Sequence, residues 1–327
     1  MAKTKIEFVC RECGSSHHQW AGQCLDCKEW NTLEEVVISQ ATSSKPESLK
    51  DLPSSKVQNL SEIKSQNNHR LSTGLSELDR TLGGGLVDGS VVLIGGDPGI
   101  GKSTLILQAI AAINASSTTL YVSGEESAEQ VSDRAIRLGI KEDILFIGET
   151  HLEKIIKISK DTRPKVIVID SIQTMVTDLS NSAPGSVTQV RDCAAQLTQY
   201  AKQTNTILLM IGHVTKGGAL AGPRILEHMV DAVLYFEGDA GGRYRIIRAV
   251  KNRFGAVNEI SVFAMGEKGL QQVSNPSSIF LSNQENPSSG SMVMVTREAT
   301  RPLLVEIQAL VDQANGTPKR VSVGLDQ

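Results

Sequence analysis

The amino-acid sequence predicts an α/β fold, in which a mainly parallel sheet is covered by helices on both faces. Apolar runs typical of buried strands alternate with helical segments through the middle of the chain. The chain has 327 residues, 40% of them hydrophobic, which is enough for two or more domains with a sizeable core. Four of the five cysteines fall within residues 10–27, and this clustering predicts a separate small module before the sheet.

The central runs follow the order strand, helix, strand, helix. The predicted elements are strands over 90–96, 118–124, 144–149, 165–171 and 206–214, and helices over 102–113, 127–139 and 187–203. Two further strands over 232–239 and 243–252 are joined by a turn at Gly241 and Gly242. This pairing predicts an antiparallel edge on an otherwise parallel sheet.

Shifts in composition predict four regions: the cysteine module in 1–36, a polar linker in 37–66, the α/β domain in 67–275 and the beginning of another domain in 276–327. The last region reads as three short strands over 292–298, 303–312 and 320–326. Three strands are a poor independent core, so we expect this last domain to be incomplete.

Charge and hydropathy restrict the location and the partners of the chain. The net charge is -3 and the pI about 6.1, so binding of a polyanion would need a local basic patch. No apolar run approaches the ~18–20 residues that cross a bilayer, and the start lacks the pattern of a signal peptide. We expect a cytoplasmic protein with no membrane partner.

The cysteine module has the spacing of a zinc site. Cys10 and Cys13 form one C-x-x-C turn, and Cys24 and Cys27 form a second one ten residues later. In a reducing compartment four close thiols favour Zn²⁺ over two disulfides, although a redox dithiol has the same spacing.

Other side chains of the module have alternative roles. His17 and His18 could replace a thiolate ligand, but we expect them at the surface. Trp20 and Trp30 could stack on nucleic-acid bases, but we expect them to fill the small module with apolar volume. Residues 1–36 contain four Lys or Arg and six Asp or Glu, so we expect a structural or protein-binding role rather than direct DNA binding.

A glycine-rich stretch between the first predicted strand and helix fits the P-loop pattern G-x-x-x-x-G-K-[ST]. In such a loop backbone N–H groups surround phosphates, Lys102 reaches the β and γ phosphates, and the Ser103 hydroxyl binds Mg²⁺. The sequence therefore predicts an ATP site formed by Gly96, Asp97, Pro98, Gly99, Ile100, Gly101, Lys102, Ser103 and Thr104.

Polar residues at the ends of three other strands are candidates for the same site. Asp170 ends an apolar strand, which is the position of the carboxylate that holds Mg²⁺ in P-loop ATPases. An aspartate at a strand end could instead cap a helix. Glu125 and Glu126 follow a strand that we expect beside the P-loop strand, and only one should face the nucleotide, which we take to be Glu125. His213 could sense the γ-phosphate, or be merely structural.

Several motifs together resemble the RecA-like ATPases and, within them, a family of bacterial DNA repair proteins. The resemblance rests on the cysteine module and on STGLSELDRTLGGGL, GGDPGIGKST, YVSGEES, VIVIDSIQT, GHVTKGGALAGPRILEHMVD and the signature KNRFG at residues 251–255. The resemblance covers residues 1 to about 270, and TRPLLVEIQALV resembles the start of the Lon-protease-like domain that ends this family.

The resemblance implies a homo-oligomeric ring, hexameric in this family, that moves on single-stranded DNA. Such a ring processes branched recombination intermediates by branch migration. The resemblance also implies a RecA-type recombinase as a further partner. In such rings ATP lies between subunits. Lys251 and Arg253 resemble a finger that reaches the neighbour's ATP and stabilises the transferring phosphoryl group. From the residues alone, this pair reads as a solvated strand edge.

The ring resemblance also implies two DNA-binding loops that face the central channel. Lys216 and Arg224 are the cations that we expect on DNA phosphates, with Arg191 a weaker candidate. Cys193 lies on a predicted helix beside two alanines, and we expect it in the core.

Two other functions fit parts of the sequence. An ATP-dependent Lon-type protease would combine an ATPase with the Lon-like tail, but no nucleophile and base pair is visible in residues 276–327. A RecA-like signalling ATPase without motor activity would use the same P-loop and GEES motif. Hydrolysis stimulated by DNA separates the motor from the signalling ATPase.

Overall fold

The computed structural model describes residues 4–10, 15–26, 28–39, 70–180, 182–213, 223–238, 242–281, 289–313, 317 and 320–323. Contacts divide the chain into two units, Met1–Ser274 and Asn275–Gln327. Among these described residues, no helix is both long enough and apolar enough to cross a bilayer.

The first unit begins with a small antiparallel sheet of three strands. They are β1 (Thr4–Cys10), β2 (Ser16–His17) and β3 (Leu33–Ser39), in the order β2-β1-β3. Farther along, β4 (Arg70–Leu71) and β5 (Leu86–Val87) pair as a short antiparallel ribbon.

In the residues that the structure describes, the main body of this unit is a nine-stranded sheet with six helices. Its strands are β6 (Val91–Gly95), β7 (Thr119–Ser123), β8 (Leu145–Gly148), β9 (Val166–Asp170), β10 (Ile207–Ile211), β11 (Ala232–Glu237), β12 (Tyr244–Asn252), β13 (Ile260–Gly266) and β14 (Gly269–Gln272). Its helices are α1 (Ser76–Thr81), α2 (Lys102–Asn114), α3 (Ala128–Leu138), α4 (Leu152–Thr162), α5 (Val187–Thr204) and α6 (Pro223–Met229), with a 3₁₀ turn at Ile172–Thr174. The strand order is β14-β13-β12-β11-β6-β10-β9-β7-β8.

Burial on both faces explains the central strands. Every residue of β6, β7, β9 and β10 is buried, as expected for parallel strands covered by helices. Val92 and Ile94 join the core formed with α1, α2 and α3, whereas Val91 and Leu93 join the core formed with α4, α5 and α6. Alternate residues of β6 therefore tie together the two layers.

The predicted α/β class and mainly parallel sheet are confirmed. Strands β8, β7, β9, β10, β6 and β11 are parallel, and β12 pairs antiparallel to β11 as predicted. The antiparallel edge also contains β13 and β14, two strands that were missed, which continue the sheet beyond β12. Helix α4 was also missed.

One predicted neighbour relation is wrong. Strand β7, which precedes Glu125, does not lie beside the P-loop strand β6, because β10 and β9 lie between them. The order of parallel strands depends on how the helical crossovers are wound, and the local pattern of one strand carries no signal for it.

The second unit contains a hairpin of β15 (Ser291–Glu298) and β16 (Arg301–Gln308), and the short helix α7 (Ser277–Phe280). Two of the three predicted strands are present. The third is wrong at residues 320–323, which are not in a strand.

The turn after β12 packs closely against the loop after α1. A Cβ placed on Gly83 would lie 2.7 Å from the carbonyl oxygen of Phe254 and 2.9 Å from the Cα of Gly255. Arg70 donates to the same Phe254 oxygen at 2.8 Å, and the Asn252 side chain donates to the carbonyl of Thr81 at 3.2 Å. These contacts hold the KNRFG segment on the body of the unit.

We predict that Gly83→Ala destabilises the protein more than Gly139→Ala, as measured by thermal or urea unfolding. Both glycines have φ in the left-handed region, +85° and +71°, but a Cβ on Gly139 meets no atom within 4 Å. The control should lose about 1 kcal/mol from backbone strain, and Gly83→Ala about 1–3 kcal/mol more from the clash. Equal losses would contradict the close approach.

Candidate active site

A cavity of about 310 Å³ lies at the carboxyl edge of the sheet, where the parallel strands end. It is bounded by the segments that follow β6, β7, β9 and β10 and by one face of α3. Open α/β sheets bind ligands at this edge. Its lining residues are Pro98, Gly99, Gly101, Lys102, Ser103, Thr104, Glu125, Glu126, Arg134, Arg137, Asp170 and His213.

The P-loop connects β6 directly to the start of α2. Gly101 is the N-cap of α2 with φ of 114°, a conformation that favours glycine, and no side chain caps the helix. The N–H groups of the first turn are therefore available to an anion, and the helix dipole adds positive potential there.

Lys102 is only 4% exposed, and its ammonium group lies inside the P-loop. Nζ donates to the carbonyl oxygens of Gly96 at 2.8 Å and Asp97 at 2.9 Å. Burial lowers the pKa of Lys102, whereas the nearby carboxylates of Asp170 and Glu125 act in the opposite direction. A buried cation of this kind is suited to phosphate oxygens.

Asp170 ends β9 as a buried carboxylate with two hydroxyl donors. It accepts hydrogen bonds from Tyr121 and Ser103, and burial raises its pKa above the ordinary value for aspartate. The pKa of Tyr121 is raised well above its usual range, first by burial and then by the charge of Asp170. The carboxylate of Asp170 and the hydroxyl of Ser103 form an oxygen pair that fits Mg²⁺.

Glu125 and His213 form a hydrogen-bonded pair beside Lys102. The His213 Nε2 atom lies 3.0 Å from Glu125 Oε1, and the Ser171 hydroxyl donates to the same oxygen. The hydrogen bond from His213 is the largest cause that lowers the pKa of Glu125, while partial burial opposes it. Lys102 Nζ lies 3.5 Å from His213 Nδ1, so the network assigns the proton of the neutral imidazole to Nε2.

Glu126 has a different partner. Its two carboxylate oxygens accept bonds from Arg134 at 2.6 and 2.5 Å, in a bidentate pair. Sequence reasoning missed Arg134 and Arg137, because charged residues on the polar face of an amphipathic helix are typical of a solvated surface. It also missed Tyr121 and Ser171, whose roles depend on strand order.

Lys251 and Arg253 do not lie in this cavity. Strand β12 runs antiparallel to β11 and places both residues at the amino edge, where the parallel strands begin. Lys251 Nζ donates to the carbonyl oxygen of Glu227 at 2.5 Å, and Arg253 Nη1 lies 3.2 Å from Asp231 Oδ1. The length of β6, about 13 Å, separates this edge from the P-loop of the same chain.

Comparison with known proteins identifies the family. A family model described as an AAA domain matches residues 58–219, and one described as a rubredoxin metal binding domain, of zinc-ribbon type, matches residues 8–35. The chain is 55% identical to DNA repair protein RadA of Pseudomonas aeruginosa, 52% to that of Escherichia coli and 47% to that of Bacillus subtilis. Each alignment covers 100% of this chain and 72–73% of the relative. This chain belongs to the RadA family.

The zinc-ribbon match coincides with the small RadA-family module before the sheet. Cys10 and Cys24 are buried together with Leu33, and Cys24 Sγ lies 3.5 Å from His17 Nε2. Their grouping fits the thiolate half of a zinc site, while Cys13 and Cys27 lie outside the described residues.

Three expectations about the other side chains of this module were wrong. His17 does not lie at the surface, since its side chain is 13% exposed and it groups with Cys24 and Asp26. Trp20 and Trp30 do not fill the module, because they are 60% and 68% exposed. His18 is exposed, as expected.

The described part of the chain includes only some of the candidate DNA-binding residues. Lys216 lies outside it, and for Arg224 the structure describes the backbone of α6 but not the side chain. Arg191 is paired with its neighbour Asp192 at 3.2 Å. Cys193 is buried in the core, as expected, and burial raises its pKa to about 12.

We predict that His213→Ala moves the acidic limb of the ATPase pH–rate profile of this RadA-family protein to higher pH. Loss of the hydrogen bond raises the pKa of Glu125 toward its ordinary value, so the carboxylate is protonated at a higher pH as the solution is acidified. His151→Ala is the matched control, because His151 forms a similar pair with Glu149 at 3.1 Å away from the cavity. An acidic limb at the same pH in the unchanged protein and in both variants would contradict this coupling between His213 and Glu125.

Proposed function

We propose that this chain is a DNA-dependent ATPase that moves on single-stranded DNA and processes branched recombination intermediates in DNA repair. The supporting observation is the convergence of Lys102, Asp170, Glu125 and His213 on one cavity at the carboxyl edge of a parallel sheet. The RadA-family relatives are named as DNA repair proteins, which supports DNA as the partner.

The residues of the P-loop would bind ATP together with Mg²⁺. ATP supplies the terminal phosphoryl group that water attacks. The glycines and Asp97, Pro98 and Ile100 shape the loop, Thr104 belongs to the first turn of α2, and the N–H groups at the start of this helix face the phosphates. Lys102 compensates the negative charge of the β and γ phosphates. Ser103 and Asp170 hold the metal ion through oxygen atoms.

Glu125 acts as the base toward the attacking water. Its carboxylate remains ionised because its pKa is lowered, whereas both oxygens of Glu126 are occupied by Arg134. His213 contacts both Glu125 and Lys102, so it is suited to report the presence of a terminal phosphate to the rest of the sheet.

Lys251 and Arg253 act across a subunit interface in a homo-oligomeric ring. Their position at the amino edge, opposite the P-loop of their own chain, supports action on a neighbour's ATP. We refer to these two residues as the trans finger. A cation in such a position stabilises charge on the transferring phosphoryl group.

The remaining parts of the proposal concern DNA and zinc. Lys216 and Arg224 contact DNA phosphates in the ring channel, and Cys10, Cys13, Cys24 and Cys27 bind Zn²⁺. A branch-migration motor working on chromosomal intermediates would act in the cytoplasm.

We predict that Glu125→Gln lowers the turnover of ATP by about 10²- to 10⁴-fold, the usual contribution of a general base, while nucleotide affinity stays close to that of the unchanged protein. The matched control is Glu126→Gln, which removes the neighbouring charge and should retain most of the activity. Steady-state hydrolysis and nucleotide titration measure the two effects. A larger loss for Glu126→Gln would reverse the assignment.

We predict that single-stranded DNA stimulates ATP hydrolysis, and that its affinity falls steeply with salt but depends little on base sequence. Lys216→Ala and Arg224→Ala should each reduce the slope of log K against log salt by about 0.7, the value for one phosphate contact on a single strand. Lys268→Ala, at an exposed turn between β13 and β14, is the control. Hydrolysis that does not respond to DNA would favour a signalling ATPase.

A further inference from the structure

Asp231, immediately before β11, is a buried carboxylate at the amino edge of the sheet. It is 2% exposed, and its side chain has three partners. Oδ2 accepts from the backbone N–H of Val91 at 3.0 Å and from the ammonium of Lys202, and Oδ1 lies 3.2 Å from Arg253 Nη1. Backbone bonds add to this link, because Asp231 N–H donates to the Val91 carbonyl and Arg253 N–H to the Asp231 carbonyl.

The charge of Asp231 requires these cations. A buried carboxylate without a partner is strongly destabilising, and an adjacent guanidinium or ammonium offsets that cost. The side chains of Lys202 and Arg253 are 46% and 58% exposed. Each side chain therefore contacts the carboxylate through a charged nitrogen while much of its surface faces solvent. Asp231 therefore anchors the charged ends of two partly exposed side chains.

The side chain of Arg253 has Asp231 as its one partner among the residues that the structure describes. A guanidinium has five N–H donors, so this single contact leaves most of them for another ligand. A long side chain held at one point also loses less conformational entropy when it binds a phosphate.

We infer that Asp231 is the positioning residue of the trans finger. It holds the Arg253 guanidinium beyond the amino edge, in the direction of a neighbouring protomer's nucleotide. This inference rests on the proposed function, in which Arg253 acts across the interface. Asp231 itself touches no nucleotide and serves through Arg253.

Two other roles for Asp231 make different predictions. It could hold α5 through Lys202, or it could hold the start of β6 through Val91 and so support the P-loop of its own chain. The first predicts that removal of Lys202 is as harmful as removal of the Asp231 charge. The second predicts damage to the ATP site of the same subunit.

The test uses Asp231→Asn, which keeps an oxygen acceptor for the Val91 N–H but removes the charge that holds Arg253. We expect hydrolysis to fall about 10- to 100-fold, as for loss of a coupled charged contact, with unchanged ATP binding. Lys202→Met is the matched control, because it removes the other cation of the same carboxylate, and it should retain most of the activity. An equal loss in Lys202→Met would overturn the proposal.

Mixed rings decide in which subunit Asp231 acts. Asp231→Asn protein is mixed with Lys102→Ala protein, whose finger is intact, after exchange of subunits has been demonstrated. In random 1:1 rings about a quarter of the interfaces combine an intact P-loop with an intact finger, so hydrolysis should rise well above that of either variant. If Asp231 supports its own P-loop, no interface is complete and no rise occurs, which would overturn the proposal.

Arg253→Ala, mixed in the same way, separates this inference from the proposed function. Rescue of Arg253→Ala without rescue of Asp231→Asn overturns the role of Asp231 alone. Absence of rescue for Arg253→Ala overturns the trans finger and this inference together. If Asp231→Asn does not fold, Asp231→Glu replaces it in the same experiment, because it retains the charge and shifts it by one methylene. We then expect a smaller loss of ATP hydrolysis and the same rescue in mixed rings.

Discussion

The candidate active site depends on one constraint, which is that fully buried parallel strands carry charged side chains only at their ends. Strands β6, β9 and β10 are buried at every position, and the crossover helices make all of them end at the same edge. The P-loop begins directly after β6, Asp170 is the last residue of β9, and His213 lies two residues after the end of β10. Their convergence therefore follows from the burial of the sheet.

Charge balance inside the cavity depends on that convergence. Lys102 is buried and its pKa is lowered, yet Asp170 and Glu125 stabilise its charged form. In turn, the hydrogen bond from His213 and, to a lesser extent, the charge of Lys102 lower the pKa of Glu125. Each ionised group is stable because the others are fixed beside it, so a substitution at one of them changes the protonation of its neighbours.

The sequence allowed prediction of the strand-end residues but not of the contacts between distant segments. Lys102 and Asp170 were recognisable because each occurs next to an apolar run with a local pattern. The position of β7, two strands away from β6, depends on crossover topology, which those patterns do not encode. Asp231 meets Val91 across 140 residues of sequence and Arg253 across 22, and no spacing rule connects them. The exposure of Trp20 and Trp30 also depends on how a small module folds, because small domains bury a smaller fraction of their surface.

The placement of the P-loop and of Lys251 and Arg253 on opposite edges restricts the symmetry of any assembly that uses both. A two-fold dimer formed through either one of these edges brings the same edge of each subunit together. Joining a carboxyl edge to an amino edge needs a heterologous, head-to-tail contact, and repetition of that contact gives either a closed ring or an open helical filament. In a ring every subunit hydrolyses ATP at its own P-loop and supplies Lys251 and Arg253 to a neighbour. A filament has one terminal nucleotide site that no neighbour completes with these residues. Closure of the ring therefore increases the number of competent sites without any change in the chemistry of a single site.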